Sequence, residues 1–243
     1  MIRNSHLSKL LGATLFAAAA AAAPAHAGVI TFEAYAGPVG GTEVWQEDGY
    51  NVGFYANVAG GGAGYLVGQF LDGDVSSCDT SSMACPPNPT GTYYAALNDS
   101  YIDIWNQNNI PGFKVNSFDA SFVGSSPVLN SYPAVPAVLR LQGILSDGSY
   151  LLQDFALNGA TPSGFQFGHF NTTGAFASTT FVELLAFGLV CNATGSSCTA
   201  FNTNRAQFAI DNISLTEVPE PATAAIVGLG LLGLGAARRR RKA

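Results

Sequence analysis

Along residues 28–218, apolar and polar positions alternate in short runs, each bounded by clusters of Gly, Asn, Asp, Ser or Pro. A two-residue period is that of a strand burying one face, and nothing in this stretch repeats at helical spacing. The pattern therefore predicts an all-β sandwich or barrel. Strands are expected at 29–33, 50–57, 65–70, 93–97, 101–105, 115–123, 135–145, 150–157, 165–167, 179–190 and 207–216. Ile30 and Phe32 share one face of the first. In 115–123, Phe118, Ala120 and Phe122 face one way and Asp119 and Ser121 the other, the alternation of a half-buried antiparallel strand. Asp147-Gly148 predicts a hairpin turn, Asn98-Asp99 a second, and Gly60-Gly61-Gly62 a flexible link. In the last run Phe208 and Ile210 have one parity, Ile213 and Leu215 the other. Such a slip implies a bulge at Asp211-Asn212 that re-aims Asp211.

Both ends of the chain break this pattern. Arg3 and Lys9 precede an apolar run at 10–23 and the small-x-small site Ala25-His26-Ala27, which together predict a secretory signal peptide, residues 1–27, with the mature chain starting at Gly28. At the other end, Pro219 and Pro221 hold Pro-Glu220-Pro extended. Sixteen residues follow at 222–237, almost all apolar, and then Arg238, Arg239, Arg240, Arg241 and Lys242. As a helix the sixteen span roughly 24 Å, a marginal crossing of a hydrocarbon core of about 30 Å. Positive residues stay cytoplasmic, which sets the body of the chain on the outer side. Gly228, Gly230 and Gly233 match G-x-G-x-x-G, but no strand precedes them and no acidic residue follows. They read as small residues of a membrane helix.

Setting the ends aside changes the charge. The whole chain carries a formal −6, yet residues 28–218 contain only Lys114, Arg140 and Arg205 as cations against fifteen carboxylates, twelve negative charges in excess. That surface repels phosphate backbones and predicts no nucleic-acid partner, while divalent cations and neutral polymers suit it. The 191 residues of this body fit one domain. Its four cysteines form two equally spaced pairs in polar stretches, Cys78 with Cys85 and Cys191 with Cys198, which predicts two local disulfides in an oxidising compartment. Zinc is the weaker reading, because zinc pairs want two to four intervening residues.

Chemistry is sparse. His169 is the one histidine left in the body, it lies outside any nucleophile-elbow pattern, and it reads as a structural or surface residue. Asp99 with Asp103, or Glu47 with Asp48, are the acid pairs available for glycoside hydrolysis, but nothing sets them apart from solvated turn and strand acids. A non-catalytic protein is expected. A structural calcium ion is the candidate cofactor: Asp211 at the bulge is its leading ligand, with Glu33 nearby, and Asp72 and Asp74 stand in a polar loop. That loop is no EF-hand, since its sixth position is Ser77 and its twelfth Met83. Trp45, Trp105 and the tyrosines of residues 28–218 have the flat faces that stack on sugar rings, against the alternative that Trp45 and Trp105 fill the core.

The tail, Pro219-Glu220-Pro221, apolar run and Arg238–Arg241 cluster, resembles the PEP-CTERM sorting signal of exported bacterial proteins. Residues 219–243 would then be a sorting segment. Gln207-Phe208-Ala209-Ile210-Asp211 resembles the Q-F-x-x-D signature of one PEP-CTERM-associated family, and Ile30-Thr31-Phe32-Glu33 extends the likeness to the start of the body. The resemblance implies a jelly-roll sandwich at 28–218 whose first and last strands lie close together. It also implies an exosortase as partner, transient anchoring in the inner membrane, and a Gram-negative cell surface rich in exopolysaccharide, with no established biochemical activity.

Overall fold

The computed structural model describes residues 27–73, 83–88, 91–107, 112–125, 130–201 and 205–218. The expected signal peptide before Ala27, the tail from Pro219, Asp74 and Cys78 lie outside them. Among the described residues the chain forms β1 (Ala27–Ile30), β2 (Gly37–Gly40), β3 (Glu43–Glu47), β4 (Tyr50–Ala56), β5 (Leu66–Leu71), β6 (Tyr93–Ala96) and β7 (Ser100–Asn106). It continues through β8 (Phe113–Phe122), β9 (Ala137–Ile144), β10 (Tyr150–Leu157), β11 (Gly168–Asn171), one helical turn α1 (Gly174–Ser178), β12 (Glu183–Cys191), β13 (Cys198–Thr199) and β14 (Phe208–Glu217).

These strands build two antiparallel sheets. The first runs β11-β8-β14-β6-β5-β2 with β1 also paired to β14, and the second runs β10-β9-β12-β7-β4-β3 with β13 on β12. The first and last strands thus pair directly, Ala27 opposite Thr216 and Ile30 opposite Ile213. One apolar core joins the sheets, because inward positions at every second residue of each meet across it. Its aromatic contacts bridge the layers: Tyr50 to Phe113 at 5.4 Å, Phe54 to Tyr94 at 4.5 Å and Phe118 to Phe155 at 4.8 Å. A smaller cluster of Leu71, Cys85, Tyr93, Ala95, Leu97, Val123 and Ala209, with Met83 and Phe167 against it, lies apart from that core.

The Asp147-Gly148 hairpin joins β9 to β10 in continuous register, with Gly148 at φ 82. The bulge in β14 also stands where the parity slip placed it: its register against β8 shifts between Asp211 and Ser214, and Asn212 sits at φ 50. Cys191 and Cys198 face each other across β12 and β13 and are disulfide-bonded. Cys85 is disulfide-bonded as well.

Four expectations need correction. The run at 93–105 is no hairpin, for β6 belongs to the first sheet and β7 to the second. Asn98 and Asp99, at φ 56 and 53, do make a tight turn closed by the Ser100 amide donating to the Leu97 carbonyl at 3.1 Å, but the turn carries the chain across the sandwich. The first strand ends at Ile30 rather than residue 33. Phe32 is held in the left-handed region at φ 60, its amide donating to the Glu47 carboxylate at 3.0 Å beside the Thr31 amide at 2.8 Å. Residues 165–167 form no strand, and the pairing begins at Gly168. Finally, α1 is a helical turn in a stretch read as wholly non-helical. Five residues are too few to show a helical period, and its one buried side chain, Phe176, reaches Phe181 at 4.7 Å.

Candidate functional site

In β7 the inward side chains are Ile102 and Ile104, both fully buried, so Tyr101, Asp103 and Trp105 stand on the outer face of the second sheet and are half-buried there. The neighbours follow from register. Tyr55 of β4 lies opposite Tyr101, and Glu183, Leu185 and Phe187 of β12 lie opposite Trp105, Asp103 and Tyr101. Gln142 of β9 continues the row beyond Leu185. Tyr101, Asp103, Gln142, Glu183, Leu185 and Phe187, together with Asn57 and Phe201, bound a cleft of about 280 Å³, and Tyr55 and Trp105 adjoin it by register.

Its aromatic wall is ordered by sheet geometry. The Tyr55 and Tyr101 rings are nearly parallel, 26° between planes and 5.4 Å apart. Phe201 meets Tyr101 edge-on at 6.2 Å and Phe187 at 5.1 Å. Gly53 makes this possible, since a Cβ there would lie 2.5 Å from the Tyr55 ring, and only a residue without one lets the ring lie down along its strand. Two carboxylates, Asp103 and Glu183, share this face with the rings. Asp103 Oδ1 is enclosed and has no hydrogen-bond partner among the described residues. Burial first, then the charge of Glu183, push the Asp103 carboxyl up to about 7. The cleft can therefore stack flat apolar surface and accept hydrogen bonds or positive charge beside it.

A second polar cluster gathers at the bulge. The buried Asp211 carboxylate accepts from the Asn88 side chain at 2.8 Å and the Asn212 amide at 2.7 Å. Asn212 Nδ2 also donates to Asp119 at 2.9 Å, and the other Asp119 oxygen meets His169 Nδ1 at 2.7 Å. Burial raises the Asp211 carboxyl to about 6 against those hydrogen bonds, with Asp119 and Glu33 adding smaller charge effects. Glu33 in turn accepts from the Thr92 amide at 3.0 Å. Glu33 is close enough for its charge to raise the Asp211 carboxyl slightly, while Asp72 is exposed. Among the described residues no three His, Cys, Asp or Glu side chains come together to hold a metal ion.

The two tryptophans separate. Trp45 packs against the core, stacked on Phe70 at 4.6 Å with Tyr35 edge-on at 4.3 Å, and donates its indole N–H to Glu43. Trp105 stays on the outer face. Reading the chain alone paired Asp103 with Asp99, but Asp99 turns to the Ala206 amide at 3.2 Å and the partner of Asp103 is Glu183. The sequence marks Tyr55 and Tyr101 only as two tyrosines among the others of the body, and it gives no sign of Gln142, Glu183, Phe187 or Phe201. The available signal was the outward alternation of Tyr101, Asp103 and Trp105 in one short strand. A larger cleft of about 530 Å³, beside Phe122, Tyr132, Pro136 and Arg205, is mostly apolar and holds none of these acids.

The PEP-CTERM protein-sorting motif matches residues 217–241 and marks an exported protein sorted by an exosortase and transiently anchored by its C-terminus. No curated protein matches the chain. Among solved structures, the chain is similar to a DUF4465 family protein from Bacteroides ovatus at 8% identity and TM-score 0.41, over 80% of this chain and 100% of that one. It is also similar to TmCBM61 in complex with beta-1,4-galactotriose, at 9% identity and TM-score 0.35, covering 77% and 94%. A third is the C-terminal family 22 carbohydrate binding module of Clostridium thermocellum Xyn10B, at 11% identity and TM-score 0.34, covering 79% and 93%. Among the described residues no helix is long and apolar enough to cross a membrane. The expected span at 222–237 lies outside them.

Proposed function

We propose that this is an exported, non-catalytic jelly-roll sandwich of the Q-F-x-x-D group, cut from its tail at the cell surface, that holds an exopolysaccharide on the outer face of its second sheet. The observation that carries this reading is the outer face of the second sheet: a cleft lined by Tyr101, Phe187, Phe201, two carboxylates and Gln142, with Tyr55 stacked on Tyr101 and Trp105 opposite Glu183 beside it. Sugar rings present C–H faces to flat aromatics and hydroxyls to acceptors, which is what this cleft offers. Trp105→Ala weakens binding to the best ligand of a glycan array by about tenfold or more, the size of one lost stacking contact. The variant still folds, with some loss of melting temperature from the half-buried ring, because Trp105 stands on the outer face and not in the core. An array with no binder ends the reading. Reducing ends released from a bound polymer, and lost in Glu183→Gln, would replace it with hydrolysis.

A second reading concerns stability. Asp211 is a buried carboxylate facing Asp119 and Glu33 at the junction of the first and last strands, and calcium there would take Asp211 and Glu33, completed by amide or main-chain oxygens. Without calcium the folded chain holds the Asp211 proton up to about 6 and the unfolded chain only to 3.8, so stability falls as pH rises through that window. Calcium binds the ionised form and reverses the loss above it. At about 100 times its dissociation constant it adds roughly 2.7 kcal/mol, or about 5–10 °C for a domain of this size. A melting temperature at pH 7.5 that is the same in calcium and in EDTA removes the ion.

A further inference from the structure

We infer that the outer face of the second sheet takes a cationic amino sugar, a hexosamine whose nitrogen carries no acyl group, in preference to neutral sugars; this rests on the glycan-binding reading above. Asp103 Oδ1 is enclosed and unpaired, an arrangement that folded proteins rarely leave unless something comes to satisfy it. Glu183 is its diagonal neighbour on the same face, since Asp103 lies opposite Leu185 and Glu183 opposite Trp105. That register sets the two residues roughly 7–8 Å apart.

The groups facing Asp103 from the strands around it are Tyr55 on β4, Tyr101 and Trp105 on β7, Glu183 and Leu185 on β12 and, one strand further, Gln142 on β9. Among the described residues the nearest guanidinium on this face is that of Arg140, opposite Phe187. Its Nε and Nη2 donate to the two Asp154 oxygens at 2.6 and 2.7 Å, away from the cleft. Among the described residues these two acids share the face without a resident cation. With burial and then the charge of Glu183 raising the Asp103 carboxyl to about 7, a proton on Asp103 partly relieves their repulsion near neutral pH. A ligand ammonium can replace that proton, donating to Asp103 and Glu183 while lying beside the ring faces, whose quadrupoles attract cations. The nearly parallel rings favour a sugar over a basic peptide, because a pyranose brings a flat C–H face next to its amine and a lysine brings only a narrow stem.

The test titrates the full-length chain at pH 7 and low salt with three hexamers of one β-1,4-linked gluco backbone that differ only at C2: hydroxyl, N-acetyl or free amine. The amine hexamer binds about tenfold tighter or more, the scale of one charge-assisted hydrogen bond. Asp103→Asn and Glu183→Gln each remove like-charge repulsion and so melt at or above the parent temperature, and each brings the preference below about threefold. Equal affinity for the three hexamers, or a preference that survives both substitutions, overturns the amino-sugar inference and leaves glycan binding standing. No binding to any hexamer or to any glycan on a broad array overturns both. Equal capture of a lysine hexamer through Asp103 and Glu183 assigns the face to basic peptides and overturns the sugar.

Discussion

Gly68→Ala lowers the melting temperature by about 6–12 °C, a loss of roughly 3 kcal/mol or more. Gly68 pairs with Ala96 in the first sheet, and a Cβ placed on it would lie 2.2 Å from the Tyr94 hydroxyl and 2.3–2.4 Å from its ring. Tyr94 has no room to retreat. It is fully buried, touches Phe54 of the opposite sheet at 4.5 Å and Phe70 at 5.4 Å, and donates its hydroxyl to the Val67 carbonyl at 3.1 Å. The added methyl must therefore move a ring that spans both layers, or bend β5 away from β6. A double-mutant cycle decides the cause: in a Tyr94→Leu background the same alanine costs less than half as much, because the atoms it strikes are gone. A cost under about 0.5 kcal/mol, or an equal cost in both backgrounds, would refute this packing account.

Gly68 also shows where a sequence stops being legible. From the sequence it is only an interior position of a strand, and its necessity comes from a tyrosine brought beside it by pairing. The features legible in the chain are those whose cause is local. Asp147-Gly148 suits a hairpin whose strands continue on both sides, and the slip of parity at Asp211-Asn212 is a bulge because side chains can only alternate. Asn98-Asp99 carries equally local turn chemistry, yet after the turn β7 pairs with β4, some fifty residues upstream, and β12, some eighty downstream, out of reach of any local signal. Glu47 was proposed as half of an acid pair with Asp48. It instead fastens the backbone after β1, accepting from the Thr31 amide and hydroxyl and the Phe32 amide.

The cleft follows the same division. Tyr101, Asp103 and Trp105 stand two residues apart, and that spacing alone puts them on one face. Glu183 joins them from eighty residues downstream only because β12 runs antiparallel to β7 with Glu183 opposite Trp105. The unpaired Asp103 oxygen is a property of that assembled face, and so the acid partner could not be read from spacing. Trp45 and Trp105 make the contrast within one residue type. Trp45 stands opposite the buried Val52 and shares its inward parity, whereas Trp105 alternates with buried isoleucines and so faces out.

Replacing Pro219, Glu220 and Pro221 together by alanine abolishes maturation, so that every fraction retains the intact C-terminal mass with its Arg238–Arg241 cluster. The parent chain instead yields, in culture medium, a mass ending near residues 219–221. The sorting motif begins at residue 217, where the fold is finishing: β14 runs to Glu217, which still pairs with Phe113 of β8. β14 is also the strand that holds β8, β6 and β1 together, so a cut inside it would open the first sheet along three partners. A cut just beyond Val218 spares every one of those pairings. Processing is therefore expected to leave the melting temperature of the sandwich unchanged, and the released protein and the tail-bearing variant should melt together. Two prolines bracketing Glu220 disfavour helix and strand alike, which is the reason in the sequence to expect the cut there. An uncut tail in both medium and membrane fractions of the parent refutes the processing step. A released form that melts well below the tail-bearing one places the cut within β14 and refutes the boundary.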